Sequence, residues 1–214
     1  MRFILSKRFG SISLLALALC AGSTVASAQN VDVFFGVGTV MDTSSNQLID
    51  TFGTGNPYTT PKLGGSFGKI GADFMLTKRF GIGAETDFKF AQAAYAGLQT
   101  RPVFWDINGI YTPTIGRYSR VVPELEAGLG GVHMAFSYAS SSCDPFGGCS
   151  SSTSSVESSS HFQVHVAGGV RFYVTKHAFV RPQVDFRYVP NFFQYGRNSV
   201  PEYGAAVGWS FGEH

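Results

Sequence analysis

The chain has 214 residues, 16 basic and 14 acidic, with only 14% charged residues, 26 glycines and 20 phenylalanines. So little charge beside so many aromatics excludes a disordered chain, which would be charged and aromatic-poor. Without a basic patch, nucleic acid is not an expected partner, and the length fits one domain.

Residues 1–28 read as a signal peptide. Arg2, Lys7 and Arg8 form a basic start, Ser11 to Ala21 is an apolar stretch too short to span a bilayer, and Ala26-Ser27-Ala28 is a small-residue cleavage site. A lipoprotein signal at Leu17-Ala18-Leu19-Cys20 is disfavoured by the bulk of Leu19. Cleavage leaves a second segment, 29–214, with 13 basic residues against 14 acidic, so the net positive charge belongs to export. No run of about 18 apolar residues follows, so no transmembrane helix is expected. A closed β-barrel could still enter a membrane, because it too satisfies its own backbone.

The dominant pattern of the mature chain is period-two alternation, which marks strands with two unlike faces. From 80 to 90, Phe80, Ile82, Ala84, Thr86, Phe88 and Phe90 oppose Gly81, Gly83, Glu85, Asp87 and Lys89. From 161 to 174, Phe162, Val164, Val166, Val170 and Phe172 oppose Gln163, His165, Gly169 and Arg171. From 178 to 188, Val180, Val184, Phe186 and Tyr188 oppose Phe179, Arg181, Gln183, Asp185 and Arg187. The last segment sets Tyr203, Ala205, Val207, Trp209 and Phe211 against Glu202, Gly204, Ala206, Gly208 and Ser210. With weaker segments, about eight strands are expected near 31–40, 66–77, 80–91, 101–112, 119–137, 161–174, 178–189 and 202–212. Each could cross a bilayer when tilted, since about 9–11 residues suffice.

Short links near Lys78-Arg79, Pro113 to Tyr118 and Thr175-Lys176 alternate with long polar connections at 41–65, 92–100, 138–160 and 190–201. Short turns on one rim and long loops on the other suit a membrane barrel. Ser140 to Ser160 is expected to be a flexible outer loop. Cys143 and Cys149 within it are expected to form a disulfide in an oxidising compartment. The Thr-Lys turn occurs twice, as Thr77-Lys78-Arg79 and Thr175-Lys176-His177, which points to recurring hairpins.

Three features turn the apolar face toward lipid. The polar face is rich in glycine, which a narrow lumen needs and a wet surface does not. It carries both charge signs, which enclosed groups require for pairing: Lys69, Asp73, Glu85, Asp87, Lys89, Asp106, Glu124, Glu126, Arg171, Arg181, Asp185, Arg187 and Glu202. Aromatics recur near strand ends (Phe80, Tyr111, Phe172, Tyr188, Trp209, Phe211), as interfacial girdles do. Pro102, Pro123 and Pro182 fall inside expected strands and call for local bulges. Alternation slips near Gly130-Gly131 in a segment long for one crossing.

The stretch Ala167-Gly168-Gly169-Val170-Arg171-Phe172-Tyr173-Val174-Thr175-Lys176-His177, running on to Val180-Arg181-Pro182, resembles the small bacterial outer-membrane β-barrels, and the pattern is similar to the barrel half of OmpA-like proteins. The closing Trp209-Ser210-Phe211 looks like that family's C-terminal assembly signal, although Gly212, Glu213 and His214 follow where the family pattern usually ends on an aromatic. The resemblance implies an all-β antiparallel up-and-down transmembrane barrel in the outer membrane, with lipid and the assembly machinery as partners. It names no extracellular partner.

No enzyme, cofactor or metal is expected. His161 and His165 share a face and read as lumen or rim polar groups ahead of a metal pair; Glu124 and Glu126 read as arginine partners ahead of an acid–base pair. Ser159-x-His161 reverses the His-x-Ser order of barrel deacylases, and no phosphate loop, nucleophile elbow or HExxH motif occurs. A structural or surface-interaction role through the outer loops is the leading expectation. A narrow pore and a soluble exported carrier are the alternatives.

Overall fold

The computed structural model describes residues 30–41, 48–50, 53–95, 97–113, 120–143, 149–192 and 195–212. The signal segment lies outside the described residues. Among the described residues, eleven strands follow in order: β1 (Asn30–Val40), β2 (Leu48–Ile49), β3 (Tyr58–Thr59), β4 (Gly65–Met75), β5 (Phe80–Lys89), β6 (Ala93–Tyr95), β7 (Leu98–Tyr111), β8 (Val121–Cys143), β9 (Cys149–Tyr173), β10 (Ala178–Tyr188) and β11 (Ser199–Gly212).

Eight of them form a closed antiparallel barrel. The ladder runs β5-β4-β1-β11-β10-β9-β8-β7, and pairing of β5 with β7 closes it. Every barrel strand pairs with its sequence neighbours, and first meets last, with Val33 opposite Trp209. This is the up-and-down meander, which leaves no open edge around the cylinder. Burial alternates along the strands, as in β10, where buried and exposed residues alternate from Phe179 to Tyr188.

The prolines need no bulge. Pro102 lies one residue beyond the β5–β7 ladder, which ends at Phe88–Val103. Pro123 lies beyond the β7–β8 ladder, which ends at Tyr111–Leu125. The β9–β10 ladder skips Arg181 and Pro182. Each proline therefore sits where one side of the ladder is vacant, and its missing N–H costs no bond there. Among the described residues, the β8–β9 ladder shifts register elsewhere, at Phe136/Ser137.

Two expectations are corrected. The serine-rich stretch is not a loop over most of its length: β8 spans 23 residues and β9 spans 25, paired up to Cys143–Cys149. Serine is a poor strand former alone, but here each strand has the other as partner. The connection between them, 144–148, lies outside the described residues. Beyond Ser137 the β8 strand leaves β7, and before Val164 the β9 strand leaves β10. The two continue as a two-stranded ribbon reaching about 20 Å past β7, at roughly 3.3 Å per residue. The slip near Gly130-Gly131 is also absent. Glu124, Glu126, Gly130, Val132, Met134 and Phe136 all stay on the inner face. What changes at Val132 is the chemistry of that face, from ionic to apolar.

Candidate functional site

The interior was the region of the sequence richest in chemistry, and the fold collects it into one network. Lys69, Asp73, Glu85, Asp87, Lys89, Asp106, Glu124, Glu126, Arg171, Arg181, Asp185 and Arg187 are all buried on the inner faces of six strands. Arg181 lies 2.9 Å from Glu124, 3.1 Å from Glu126, 3.2 Å from Asp73 and 3.2 Å from Glu85. Arg187 contacts Asp87, and reaches Glu202 at 2.6 Å and Glu85 at 3.4 Å. Lys69 bridges Glu85 at 2.6 Å and Asp185 at 2.9 Å. Arg171 contacts Asp32 and Glu124, and Asp73 at 2.8 Å. Lys89 donates to the Lys62 carbonyl at 2.8 Å.

Asp32, which the sequence reading leaves out, joins this network, as does His165, read there as a lumen or rim polar group. Asp32 could have been found from its own strand, where Val31, Val33, Phe35 and Val37 alternate with it. The less favoured reading of His165 is a metal pair with His161. The two are four residues apart along one strand, roughly 13 Å, too far to share an ion. His165 is buried between Asp106 at 3.3 Å and Asp185 at 3.1 Å, while the His161 ring packs on Phe192 at 5.8 Å. Glu85, Asp106 and His165 do bring ligand atoms within 4.8 Å of one another. Lys69, Arg181 and Arg187 already engage Glu85 there. The Glu124–Glu126 pair meets on Arg181, which makes it an arginine site.

An apolar cap closes the network on the long-loop side, and a smaller apolar cluster packs beside it toward the turns. On the long-loop side, Val40, Leu63, Phe67, Phe104, Val132, Met134 and Phe136 meet Val189, Phe192, Tyr195 and Val200. The link between β10 and β11 turns through left-handed backbone at Asn191 and Gly196, conformations those residues tolerate. Rings then run across the mouth: Phe67–Phe104 at 6.0 Å, Phe104–Phe192 at 6.4 Å, Phe192–Tyr195 at 4.8 Å. On the turn side, Phe34, Phe179 and Ala206 pack with Tyr173. The Arg181 guanidinium lies 3.8 Å over the Phe34 ring. Glycine makes the room: a Cβ on Gly208 would strike the Phe179 ring, and one on Gly83 would come within 2.5 Å of Asp73 Oδ1.

Outside, the logic is reversed. Phe35 is 66% exposed and Ile107 60%, and Ile70, Phe74, Ile82, Trp105, Leu125, Leu129, Val166 and Phe186 join them. Greasy outside and ionic within, closed on itself in eight strands, the chain has the architecture of the transmembrane β-barrels. No family model matches it, and no curated protein is similar to it. Among solved structures it is similar to Neisserial surface protein A, at 16% identity and a TM-score of 0.54, covering 85% of this chain and 97% of that one. It is also similar to Ail, the attachment invasion locus protein of Yersinia pestis, at 12% identity and a TM-score of 0.48 over 86% of this chain and 99% of that one. The barrel domain of Pseudomonas aeruginosa OprF gives 12% and 0.47 over 86% and 98%. The first of these likenesses shows the fold: that of the small outer-membrane barrels.

Proposed function

We propose that the chain is an integral protein of the bacterial outer membrane, exported by cleavage after Ala28, whose role is structural or surface-interacting and is exercised by its outer ribbon. The apolar outer face carries this reading. Burying ionic side chains while exposing phenylalanine, isoleucine and tryptophan around a whole cylinder is unfavourable in water and favourable in acyl chains. The filled interior favours this role over a narrow pore, because paired ionic side chains occupy the lumen and an apolar cluster covers them on the long-loop side. It equally disfavours a soluble carrier, which needs an apolar pocket inside. The ribbon extends past the β7 and β10 ladders, and strand edges of this kind can pair with other chains. The closing Trp209-Ser210-Phe211 is the proposed signal for the assembly machinery, and no catalytic role is proposed.

Cell fractionation and electrophoresis test this. The mature protein is expected in the detergent-extracted envelope, migrating differently unboiled and boiled. A water-soluble monomer without detergent would sink the reading.

We also propose that Cys143 and Cys149 form a disulfide pinning the ribbon tip. Their side chains lie outside the described residues, but their backbones are paired in register. The oxidising compartment that an exported chain meets favours the bond. Intact mass of the exported protein is expected to rise by two alkyl groups after reduction and alkylation and by none before. Two alkyl groups without reduction would exclude the bond.

A further inference from the structure

The doubled Thr-Lys turn has no part in the interior or the ribbon, yet it is built twice in the same way. Thr77 Oγ1 accepts from Arg79 N at 3.2 Å and Phe80 N at 3.0 Å. Thr175 Oγ1 accepts from His177 N at 3.2 Å and Ala178 N at 2.9 Å. With the hydroxyl committed to the backbone, the next two side chains project from the turn. These are Lys78 and Arg79 in one hairpin, Lys176 and His177 in the other, and all four are exposed. The third link of this rim, residues 112–120, ends at exposed Arg120 and carries Arg117 but no acidic residue in its sequence.

Charge separates the two rims. Outside the interior, the described acidic residues are Asp50 and Glu157, both on the long-loop side, where Lys62, Arg101 and Arg197 accompany them. Every described acidic side chain near the turn rim, Asp32, Asp73, Glu124 and Glu126, is buried in the lumen. Glu213 follows the last strand in sequence. Among the described residues, then, the long-loop rim is of mixed sign and the turn rim is purely cationic.

The cations also sit at a particular depth. Arg79 directly precedes Phe80, whose ring pairs with Tyr111 at 5.1 Å. The His177 ring stacks on Trp209 at 5.6 Å and 20°. Phe80, Tyr111 and Trp209 point outward with the rest of the apolar face. Aromatics mark the boundary between acyl chains and headgroups, so cations one residue beyond them lie level with the phosphates.

We infer that the turn rim binds the anionic headgroups of phospholipids in the leaflet it adjoins, through Lys78, Arg79, Arg120 and Lys176. This rests on the membrane reading proposed above. An anionic glycan could meet the same charges from the aqueous side. Lipid is favoured because the cations continue the lipid-facing aromatic band.

The test uses the full mature protein reconstituted into phosphatidylcholine vesicles that contain spin-labelled phosphatidylglycerol or spin-labelled phosphatidylcholine. Boundary association of the phosphatidylglycerol label is expected to exceed that of phosphatidylcholine by about threefold or more at low salt. The excess should fade as salt screens the charges. K78Q/R79Q/R120Q/K176Q should bring the ratio to about one while keeping its unboiled mobility shift; K62Q/R101Q, on the other rim, should leave it unchanged. Equal association of both labels with the inserted parent protein would overturn the inference alone, as would binding to isolated peptidoglycan with no lipid preference. Failure of the parent to insert would overturn the membrane reading, and this inference with it.

Discussion

Arg187→Leu is expected to cost about 3–5 kcal/mol of barrel stability, the loss typical of breaking a buried ion pair from one side. Arg187 is 0% exposed, and its guanidinium is held by Asp87 and Glu202, within reach of Glu85 and Asp106, over the Phe104 ring at 5.4 Å. Among the described residues, nine carboxylates are shared by Lys69, Arg171, Arg181, Arg187 and His165. Loss of Arg187 strips Glu202 of that ion pair and leaves Asp87 to Lys69, 3.7 Å away. The cost is large beside a total stability of about 5–15 kcal/mol. The urea midpoint of the vesicle-folded protein should fall sharply, and much of the chain should lose its unboiled mobility shift. Arg187→Lys should restore part of the loss, since a point charge cannot hold several carboxylates as a planar fork does. Adding Asp87→Asn and Glu202→Gln to Arg187→Leu should recover more, because it removes the stranded charges. A midpoint unchanged in Arg187→Leu would mean that the enclosed network contributes nothing net.

Ile107→Arg should damage the protein from the other side of the wall. Ile107 and its cross-strand neighbour Leu129 both point outward from the barrel. On the lipid face of a barrel, arginine near the membrane midplane costs about 2–4 kcal/mol, falling to about 0–1 near the interfaces. Folding yield into vesicles should therefore drop for Ile107→Arg and Leu129→Arg, and much less for arginine at Val121, beside Arg120 on the rim. A soluble barrel would predict the opposite sign, since an exposed isoleucine exchanged for arginine improves solubility. Equal yields for all three variants would argue against an acyl-chain environment. The Arg187 and Ile107 substitutions together probe orientation, as one removes charge from within and the other adds it outside.

The strands were legible because alternation is a local property. Phe80 to Phe90 declares its two faces without reference to any other segment, as do Ala178 to Tyr188 and Tyr203 to Phe211. Short links mark where the chain must reverse, and the glycines and mixed charges of one face indicate that it is enclosed. Three features escaped for one reason. The serine-rich ribbon looks like loop by composition, but β8 and β9 extend because each supplies the hydrogen-bond partner the other lacks. Val132, Met134 and Phe136 seemed to break the alternation, because an inner face was equated with a polar one. Pro102, Pro123 and Pro182 called for bulges, because vacancies in a neighbouring ladder cannot be seen along a single strand.

The sequence by itself determined the class of fold, the eight barrel strands and the two-faced pattern of most of them. Tertiary structure alone decided who meets whom. Arg171 reaches Asp32 across 139 positions and Arg181 reaches Glu85 across 96, distances set by the register of closure and by nothing in either strand. It likewise brought Phe192 and Tyr195 over Phe104 to cap the lumen, and gathered Lys78, Arg120 and Lys176 from three separate links onto one rim. Backbone pairing and alternation depend on near neighbours, so one segment can reveal them. Contacts inside and around a cylinder depend on strand stagger and closure, which exist only once the whole sheet has joined its ends.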